Sequence, residues 1–593
     1  MSDMEKPAFL GVEQSLKGKK WRLRSEDDRK ALTISQRLDV PEIVGRVLAG
    51  RDVPLDEAER YLSPTLKDLL PNPSSFKDMD AAAARIVTAI KNGEKIAVFG
   101  DYDVDGATSS GLLKSFFDQI GVPLRIYIPD RMSEGYGLNS PALETLKGEG
   151  MDLVITVDCG ILSFDEADRA QELNLDLIIV DHHQAETRLP NAAAVVNPKR
   201  HDESQEFTYL AAVGVAFILL VAINRDLRDS GWYEGRQTPD LFRLLDLVAL
   251  GTVCDVVPLV GLNRAFVSQG LKVMAQRRNP GLVALADVAG LDEAPGTYHL
   301  GFIMGPRVNA GGRVGKADYG PRLLSSPNPD ECMELARVLD EYNQERKAIE
   351  TQVTEEAMEQ AERLSASESV LVVAGEGWHP GVIGIVASRL KESYQRPTIV
   401  IGLDGDVGKG SGRSIAGVDL GAAVGAARHK EMLIAGGGHA MAAGLTIARD
   451  QIEPFRQFLE SRLADHVKEA LKGASLGLDG MVGVEGATVD LIEKMEMAGP
   501  YGAGNPEPRF VVGHAKIVKA DIVGENHVRV ILTGVGNRGR LTGICFKSLE
   551  TPLGDALINH RGGTFHIAGY LRKNTWRGQT SAQILIEDAH RII

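Results

Sequence analysis

Short apolar runs recur between residues 96 and 196, and helical patterns separate several of them. These runs are rich in β-branched residues and do not alternate with polar positions, which is typical of strands buried on both faces of a parallel sheet. The pattern predicts an α/β unit whose functional residues lie just past the carboxyl ends of its strands. The runs are IAVFG (96–100), LRIYI (124–128), LVITV (153–157), LIIV (177–180) and AVV (194–196).

The rest of the chain shows other patterns. Residues 1–80 and 208–290 are mainly helical in pattern, and the polar stretch from Asp330 to about Leu364 contains no Pro or Gly, which predicts one long helix. A glycine-rich second α/β unit follows, and then strand-like runs with Gly and Asn turns predict a small β-barrel. The predicted divisions are an N-terminal helical extension (1–80), a first α/β domain (81–329), a connecting helix (330–366), a second α/β domain (367–470) and the barrel (471–593).

The composition is that of an ordinary soluble globular protein, with 44% hydrophobic and 25% charged residues. The first residues are polar and lack the apolar segment of a secretory signal, and no apolar run is long enough to cross a bilayer. The four cysteines lie far apart and form no CxxC pair, which disfavours disulfides and thiolate zinc sites. We expect a monomeric, cytoplasmic protein without a membrane partner.

The formal net charge of −15 argues against a nucleic-acid partner, because neutralising phosphates requires Lys and Arg. Local charge matters more than the total, however, and an enzyme that binds metals uses carboxylates to do so. From Glu507 to Ile593 the chain carries 12 Lys and Arg against 7 Asp and Glu. The predicted barrel is therefore the basic part of an otherwise acidic chain.

Four loops that follow apolar segments begin with carboxylates or imidazoles. At the edge of a parallel sheet these side chains can converge, and several carboxylates in one cleft repel each other unless cations lie between them. Carboxylates with imidazole suit Mn²⁺ or Mg²⁺, and two such ions about 3.5–4 Å apart form the usual clamp for phosphoryl displacement. The loops are GDYDVDG (100–106), VDCG with Asp158, VDHH with Asp181, His182 and His183, and GTVCDVVP with Asp255.

Each of these loops also has a simpler interpretation. The DxDxDG string also opens calcium-binding EF-hand loops, but the twelfth position from Asp101 is Leu112 instead of Glu, and a strand precedes the loop where an EF-hand has a helix. A lone Asp at the end of a strand usually caps the following helix. Four such loops at successive element ends are harder to explain separately, so the set favours a metal site.

The four motifs, in this order, resemble those of the DHH phosphoesterase family, and most closely those of its RecJ-type bacterial exonucleases. The resemblance implies that carboxylates and His182 hold two metal ions, with Mn²⁺ preferred and Mg²⁺ as the alternative. It also places His183 near the scissile phosphate, with Asp181 orienting its neighbours. Many relatives have a histidine where this chain has Phe99, and we expect Asp101 to replace it. The implied metal ligands are Asp101, Asp103, Asp105, Asp158, His182 and Asp255, and the implied catalytic residues are His183, Asp181 and His182.

Glycine-rich strings further along predict a phosphate site. The GGGH string (436–439) resembles a motif of the domain that accompanies DHH domains, and GEGWHPGVIGIVASRL (375–390) also resembles the RecJ type. The string GKGSGR (408–413) is not a nucleotide P-loop, since Gly410 follows Lys409 where Ser or Thr is required, and we interpret it as an anion nest. The residues that the resemblance implies for binding DNA and its 5′-terminal phosphate are Asn309, Arg313, Ser411, Arg413 and His439.

A pocket that accepts only a chain end, at a fixed distance from the metals, would make the enzyme an exonuclease. The resemblance implies degradation of single-stranded DNA from 5′ to 3′ to 5′-mononucleotides, in DNA repair and recombination, with a single-strand-binding protein and a helicase as candidate partners. The barrel fits an OB-fold, which binds single strands by a basic groove and stacking aromatics. Its candidate contacts are Arg529, Arg540, Arg572 and Trp576.

Two other functions are open at this point. A DHH-family phosphodiesterase for very short RNA or cyclic dinucleotides, or a pyrophosphatase, would share the metal site but generally lacks the barrel and the N-terminal extension. A DNA-binding scaffold with a decayed nuclease site would not keep so many carboxylates, because without metals they would destabilise the fold. Turnover of dinucleotides would favour the first alternative, and lack of metal binding the second.

Overall fold

The computed structural model describes residues 7–131, 134–135, 137–365, 368–576 and 578–592. The N-terminal segment is mainly helical, as its pattern predicts, but it also contributes a strand that the pattern does not reveal. Its elements are β1 (Lys20–Leu23), α1 (Asp28–Leu38), α2 (Glu42–Ala49), α3 (Ala58–Leu62) and α4 (Leu66–Leu69).

The first α/β unit is built on a five-stranded parallel sheet. Its elements are α5 (Met79–Asn92), β2 (Ile96–Gly100), α6 (Val104–Gln119), β3 (Leu124–Tyr127), α7 (Ser140–Gly148), β4 (Leu153–Val157), α8 (Phe164–Glu172), β5 (Asp176–Val180), β6 (Ala194–Val196), α9 (Ala212–Asp229), α10 (Leu245–Cys254), α11 (Gly261–Met274), α12 (Pro280–Val288), α13 (Thr297–His299), α14 (Gly305–Val314) and α15 (Tyr319–Ser325). The strand order is β3-β2-β4-β5-β6, and all neighbours are parallel. All five strands lie at the apolar runs that predict them.

Helices cover both faces of this sheet. Ile96 and Val98 of β2 belong to one apolar core with α5, α6, α9 and α10, whereas Ala97 and Phe99 belong to a second core with α7 and α8. Because side chains alternate across a strand, a strand covered on both faces must be apolar throughout. The parallel direction brings the carboxyl ends of β2, β4 and β5 to one edge, where their loops meet.

A single helix, α16 (Pro329–Ser365), follows the first unit and confirms the long helix predicted from Asp330 to about Leu364. Its first half packs against α12, α14 and α15, and its second half packs against the second α/β unit. Neither this helix nor any other in the described part of the chain is long and apolar enough to cross a membrane.

The second α/β unit has a mixed five-stranded sheet. Its elements are β7 (Leu371–Glu376), α17 (Ile383–Tyr394), β8 (Thr398–Asp404), β9 (Val407–Arg413), α18 (Leu420–His429), β10 (Ala435–His439), β11 (Ala442–Ala448) and α19 (Ile452–Lys472). The strand order is β10-β11-β9-β8-β7, in which β7 and β8 are parallel and the other neighbours antiparallel.

The string GKGSGR (408–413) lies in the regular strand β9, so its interpretation as an anion nest is wrong. Its glycines alternate along the strand and point into the core, where an added Cβ would lie 2.6–2.7 Å from side-chain atoms of Ile401, Leu445 or Leu420. Close packing against the core therefore explains the glycines. The intervening Ser411 and Arg413 share the opposite face of β9.

The C-terminal part is a closed barrel, as its pattern predicts. Its elements are β12 (Ser475–Leu478), β13 (Gly480–Val482), α20 (Val489–Glu496), β14 (Phe510–Val523), β15 (His527–Thr533), β16 (Leu541–Cys545), α21 (Pro552–Ile558), β17 (Thr564–Trp576) and β18 (Gln579–Ile592). The strand order is β13-β14-β15-β16-β18-β17, and the long strand β14 also pairs with β17 and so closes the barrel.

The N-terminal segment packs mainly against this barrel. The strand β1 pairs in parallel with β12, and the indole Nε1 of Trp21 donates to the buried carboxylate of Asp588 in β18 (3.1 Å). Ile34 of α1 shares an apolar core with Phe510 of β14. The two ends of the chain thus form one body, with both α/β units between them in sequence.

Candidate active site

An acidic cleft lies at the carboxyl edge of the first sheet, where loops after β2, β4 and β5 meet the end of α10. The structure brings all six predicted metal ligands together there. Three groups of side chains have ligand atoms within 4.8 Å of one another: Asp101, Asp103 and Asp158; Asp105, His182 and Asp255; and Asp158, His182 and His183.

The loop after β2 combines helix capping with the acidic cluster. Asp103 is the N-cap of α6, and its carboxylate accepts hydrogen bonds from the N–H groups of Asp105 (2.9 Å) and Gly106 (3.2 Å). A Cβ at Gly106 would lie 2.3 Å from the carbonyl oxygen of Asp101, so only glycine fits. Phe99 stacks on the ring of Tyr127 in the apolar core that the sheet forms with α7 and α8, so it points away from the cleft. Asp101 lies in the cleft, with 3% of its surface exposed.

Backbone N–H groups hold the Asp105 carboxylate, and Asp158 has an unusual backbone conformation. Both oxygens of the buried Asp105 accept hydrogen bonds from the first turn of α9, from Ala212 (2.7 Å) and Val213 (2.9 Å). Asp158 has a φ of 63°, in the left-handed region that favours glycine. Such a backbone conformation costs about 1–3 kcal/mol in a non-glycine residue and concentrates at functional sites.

His182 presents a lone pair to the carboxylates. Its Nδ1 lies 2.9 Å from the carbonyl oxygen of Leu210 and therefore carries the proton, so Nε2 is the acceptor. Nε2 lies 3.3 Å from an oxygen of Asp158, 3.5 Å from Asp255 and 3.8 Å from Asp105. Burial, with a smaller effect of the neighbouring His183, lowers the pKa of His182 to about 4, so the ring is neutral at pH 7.

This donor set fits divalent cations. Among the described residues, Nε2 of His182, Oδ1 of Asp158 and Oδ2 of Asp255 are buried atoms without a hydrogen-bond partner. Burial and the neighbouring carboxylates raise the pKa of Asp255 to about 9 and that of Asp158 well above its ordinary value. Acceptors that face one another require either protons or cations between them, and carboxylates with a neutral imidazole suit divalent metal ions.

Asp181 and His183 form a pair beside this cluster. The Asp181 carboxylate lies 2.8 Å from Nδ1 of His183 and accepts from the N–H groups of Ile161 (3.0 Å) and His182 (2.7 Å). Burial alone would raise the pKa of Asp181, but these bonds lower it to about 2, and Asp181 in turn raises the pKa of the His183 ring to about 9. The His183 side chain is 42% exposed, so a substrate can reach a positively charged ring.

A second group of side chains surrounds the start of α17. Arg313, at the end of α14, donates to the carbonyl of Gly381 (2.8 Å), and Arg413 of β9 donates to the hydroxyl of Ser411 (3.1 Å). In the first turn of α17, a Cβ at Gly384 would lie 3.0 Å from both Ser411 Oγ and Arg413 Nη2. The three predicted phosphate ligands therefore meet at a helix N-terminus, which itself favours anions.

The guanidinium groups of this pocket lack acidic partners. Burial, together with the charges of Arg131 and Arg346, lowers the pKa of Arg313 to about 10, and burial also lowers the pKa of Arg413. In the described part of the chain no carboxylate forms an ion pair with Arg313 or Arg413. Half-buried positive charge without an acidic partner favours the binding of an anion such as phosphate.

Comparisons with known proteins assign three parts of the chain to known domain families. Residues 95–252 match the DHH family, N-terminal domain; residues 367–465 match the DHHA1 domain; and residues 478–588 match the RecJ OB domain. The single-stranded-DNA-specific exonuclease RecJ of Bacillus subtilis is 35% identical over 96% of this chain and 70% of its own. The RecJ of Salmonella typhimurium is 36% identical over 93% of this chain and 96% of its own. The chain belongs to the RecJ family.

Solved structures of the RecJ family place metals in this fold. The crystal structure of RecJ from Thermus thermophilus in complex with Mn²⁺ has a TM-score of 0.79 at 27% identity, and covers 97% of this chain and 80% of that one. The structure of the same protein with Mg²⁺ has a TM-score of 0.75. Together with the acidic and imidazole groups of the cleft, these structures support divalent metals as cofactors.

Arg131 is a member of the site that the sequence analysis missed. Its guanidinium stands over the ring of Tyr102 at 5.2 Å, and its charge acts on Asp101 and Arg313, so it lies between the acidic cleft and the phosphate pocket. Arg131 comes four residues after β3 ends. The rule that functional residues follow strand ends, applied to β3 as to its neighbours, would have found it.

The two remaining predicted phosphate residues lie at the margin of the pocket. Asn309 is one turn before Arg313 on α14. His439 is exposed at the end of β10, and its register partner Ala442 is in turn the partner of Arg413, so His439 stands two strands away, at about 10 Å.

The four predicted DNA contacts of the barrel do not form one groove. Arg572 forms two hydrogen bonds with Glu507 (2.9 and 2.6 Å), and Arg529 pairs with Asp521 (3.1 Å). The other two, Arg540 in the loop before β16 and Trp576 at the end of β17, are exposed. A cleft of about 1600 Å³ separates the first unit from the barrel, and of these four residues it is lined by Arg572 alone.

Proposed function

We propose that this protein degrades single-stranded DNA from its 5′ end towards its 3′ end and releases 5′-mononucleotides. Membership of the RecJ family makes it a metal-dependent exonuclease. The observation that carries the polarity is the pair of adjoining sites: an acidic metal cleft, and a pocket of uncompensated guanidinium groups at the start of α17. We further propose a role in DNA repair and recombination, with a single-strand-binding protein and a helicase as partners.

Two metal ions, with Mn²⁺ preferred, are part of the proposal. Asp101, Asp103 and Asp158 would hold one ion, and Asp105, His182 and Asp255 the other. The imidazole ligand favours Mn²⁺ over Mg²⁺, which prefers oxygen. When bound, such ions neutralise the carboxylates, activate water and stabilise the charge of a phosphate under attack.

His183 is proposed to act on the scissile phosphate. Asp181 holds its ring through Nδ1, and this hydrogen-bonded carboxylate raises the pKa of His183 against the effect of burial and so favours the protonated ring. A fixed positive charge there stabilises the negative charge that develops on the phosphate oxygens. Asp181, which is 1% exposed, acts only through the histidine ring and the backbone.

The 5′-phosphate pocket supports exonucleolytic cleavage with a defined register. Arg313, Ser411 and Arg413 would bind the terminal phosphate, while Asn309 and His439 would contact the strand nearby. A pocket that needs a chain end sets how far the first phosphodiester lies from the metals. Contacts of Arg529 or Arg572 with DNA would require opening of their ion pairs, which costs little for exposed pairs (about 0–1 kcal/mol).

The test is cleavage of a single-stranded oligonucleotide labelled at its 3′ end, in Mn²⁺, beside a duplex of the same sequence. Progressive shortening from the 5′ end of the single strand, absent in Asp158→Ala, is the expected result. The matched control is Asp246→Asn, because Asp246 is also a buried carboxyl, at the far end of α10, and lies outside the acidic cleft. Burial raises the pKa of Asp246 to about 7, so a neutral isostere should leave activity intact.

Other outcomes of this assay distinguish the alternatives. Turnover of dinucleotides or pyrophosphate, without cleavage of the oligonucleotide, would refute exonuclease action and favour a small-substrate phosphodiesterase. Binding of the oligonucleotide without any turnover would favour a DNA-binding scaffold. Cleavage from the 3′ end would refute the role of the guanidinium pocket.

A further inference from the structure

The position of Asp255 is only partly fixed by its own helix. Asp255 is the C-cap of α10, and the next residue, Val256, has a φ of 61°, which is strained for a β-branched side chain. Residues 256–260, here called the exit loop, then lead from α10 to α11. Whatever holds the exit loop therefore also helps to hold the Asp255 carboxylate in the cleft.

A segment between α20 and β14, residues 498–505, packs directly on the exit loop and is here called the brace. The N–H of Leu259 donates to the carbonyl of Ala503 (2.7 Å). Two glycines permit this approach, since an added Cβ at Gly502 would lie 2.7 Å from the Leu259 side chain, and one at Gly504 would lie 2.8 Å from Pro258. The barrel domain thus touches the chain four residues from a metal ligand.

Arg264, in the first turn of α11, anchors the brace. Its guanidinium donates to the carbonyls of Gly499 (2.7 Å), Ala498 (3.3 Å) and Tyr61 (2.8 Å), and lies 3.8 Å from the centre of the Tyr61 ring. Arg264 is 1% exposed, and no carboxylate among the described residues forms an ion pair with it. A buried charge held by carbonyl groups cannot shift without losing them, so Arg264 ties the brace to α11.

Asn263, which precedes Arg264 in α11, extends the connection to two further candidate ligands, His182 and Asp105. Asn263, which is fully buried, donates to a carbonyl of the exit loop (3.0 Å) and to the carbonyl of Tyr209 (2.7 Å). The segment 209–213 accepts the ring N–H of His182 and donates two N–H groups to Asp105. Three of the six candidate ligands are therefore connected to the brace through hydrogen bonds and short stretches of chain: Asp255 along the exit loop, and His182 and Asp105 through the segment 209–213 and Asn263.

We infer that the brace, anchored by Arg264, is a positioning element of the metal centre, through which the barrel domain sets the metal affinity of the first α/β unit. This inference rests on the proposed role of Asp255 as a metal ligand. Groups that orient a metal ligand without touching the ion change the affinity about 10–100-fold when they are removed.

The test measures Mn²⁺ binding to the full chain by isothermal titration calorimetry. Gly504→Ala places a methyl group against Pro258 and should weaken Mn²⁺ binding about ten-fold. The matched control is Gly536→Ala, because Gly536 also lies in the barrel domain at a similar φ (72° against 69°), with nothing within 4 Å of an added Cβ. This control should bind Mn²⁺ as tightly as the unchanged protein.

A second variant, Arg264→Met, should also weaken Mn²⁺ binding, and melting curves in a chelator show whether each variant is folded. A lowered melting temperature with unchanged Mn²⁺ affinity in Gly504→Ala would mean that the brace is merely structural and would overturn the inference. Equal weakening in Gly504→Ala and Gly536→Ala would overturn it too. Failure of the unchanged protein to bind Mn²⁺ would instead overturn the metal centre itself, and the inference with it.

Discussion

Metal binding to the acidic cleft should release protons and therefore depend steeply on pH. Without cations, burial and mutual repulsion raise the pKa of Asp101 to about 8 and that of Asp255 to about 9, and raise the pKa of Asp158 well above its ordinary value. At pH 7 these carboxyls hold protons in the metal-free protein. A carboxylate must lose its proton before it can bind a metal, so each ion competes with protons for the same oxygens.

The size of the effect follows from the number of protons displaced. Because the carboxyls lie within 4.8 Å of one another they titrate as a group, and we expect about two to three protons to leave the cluster at pH 7. Each proton released makes the apparent affinity rise about ten-fold per pH unit. Mn²⁺ affinity should therefore rise about one-hundred-fold or more between pH 6 and pH 7, and level off above about pH 9.

The stability of the metal-free protein should fall as the pH rises, whereas the affinity for Mn²⁺ should increase. A carboxyl whose pKa is higher in the folded state than its ordinary value of 3.8 binds protons more tightly when folded. Its contribution to stability is fully present below about pH 4 and is lost as the pH rises towards 8 or 9. The stabilisation gained by adding Mn²⁺ should accordingly grow over this range.

Calorimetric titration in buffers of different ionisation enthalpy gives the number of protons released, and melting curves with and without chelator give the stability difference. Asp246→Asn is a suitable control, because this buried carboxyl lies outside the acidic cleft. Its replacement should not change the number of protons released when Mn²⁺ binds. Release of no protons at pH 7, or a Mn²⁺ affinity that is flat between pH 6 and pH 8, would refute the reasoning.

Three further predictions follow from single contacts. Asp181→Asn removes the carboxylate that raises the pKa of His183 to about 9, so the alkaline limb of the pH–rate profile should move down by at least one unit, and an unmoved limb would contradict the pairing. Arg413→Met should raise the KM for a 5′-phosphorylated strand about ten-fold but not for a 5′-hydroxyl strand, and equal effects would count against the pocket. Trp21→Phe leaves the buried Asp588 without its indole donor and should cost about 1–3 kcal/mol in urea denaturation, whereas an unchanged midpoint would argue against this contact.

Much of the fold can be predicted from local patterns. The five strands of the first sheet are apolar throughout because helices cover both faces, and α16 is free of Pro and Gly over its polar length. The strand β9 is not predictable from the string GKGSGR, because this string has the composition of a loop. Its alternate glycines are required by the packing of Ile401, Leu420 and Leu445, which come from other parts of the chain.

The candidate site, like the fold, has residues that the sequence predicts and contacts that it does not. Each acidic loop could be recognised because it follows a strand or helix end and carries a side chain with its own chemistry. Arg131 follows the same rule after β3, so its place in the site is also recognisable from the sequence. The pairing of Arg529 with Asp521 and of Arg572 with Glu507 was not predictable, because basic residues on a strand give no sign of whether a carboxylate opposes them.

The contacts that no pattern could reveal are made by backbone groups. The carbonyl of Leu210 sets the tautomer of His182, the N–H groups of the first turn of α9 fix Asp105, and the carbonyls of Ala498 and Gly499 hold Arg264. A backbone N–H or carbonyl is present at almost every position, so its use leaves no residue type to recognise. Candidate metal ligands can thus be recognised in the sequence from their side chains. The geometry of the site depends, in addition, on which distant segments donate or accept the backbone hydrogen bonds that hold those side chains. For this reason Gly504→Ala, at a position far from any candidate ligand in the sequence, tests the geometry of the metal centre more stringently than the substitution of a ligand would.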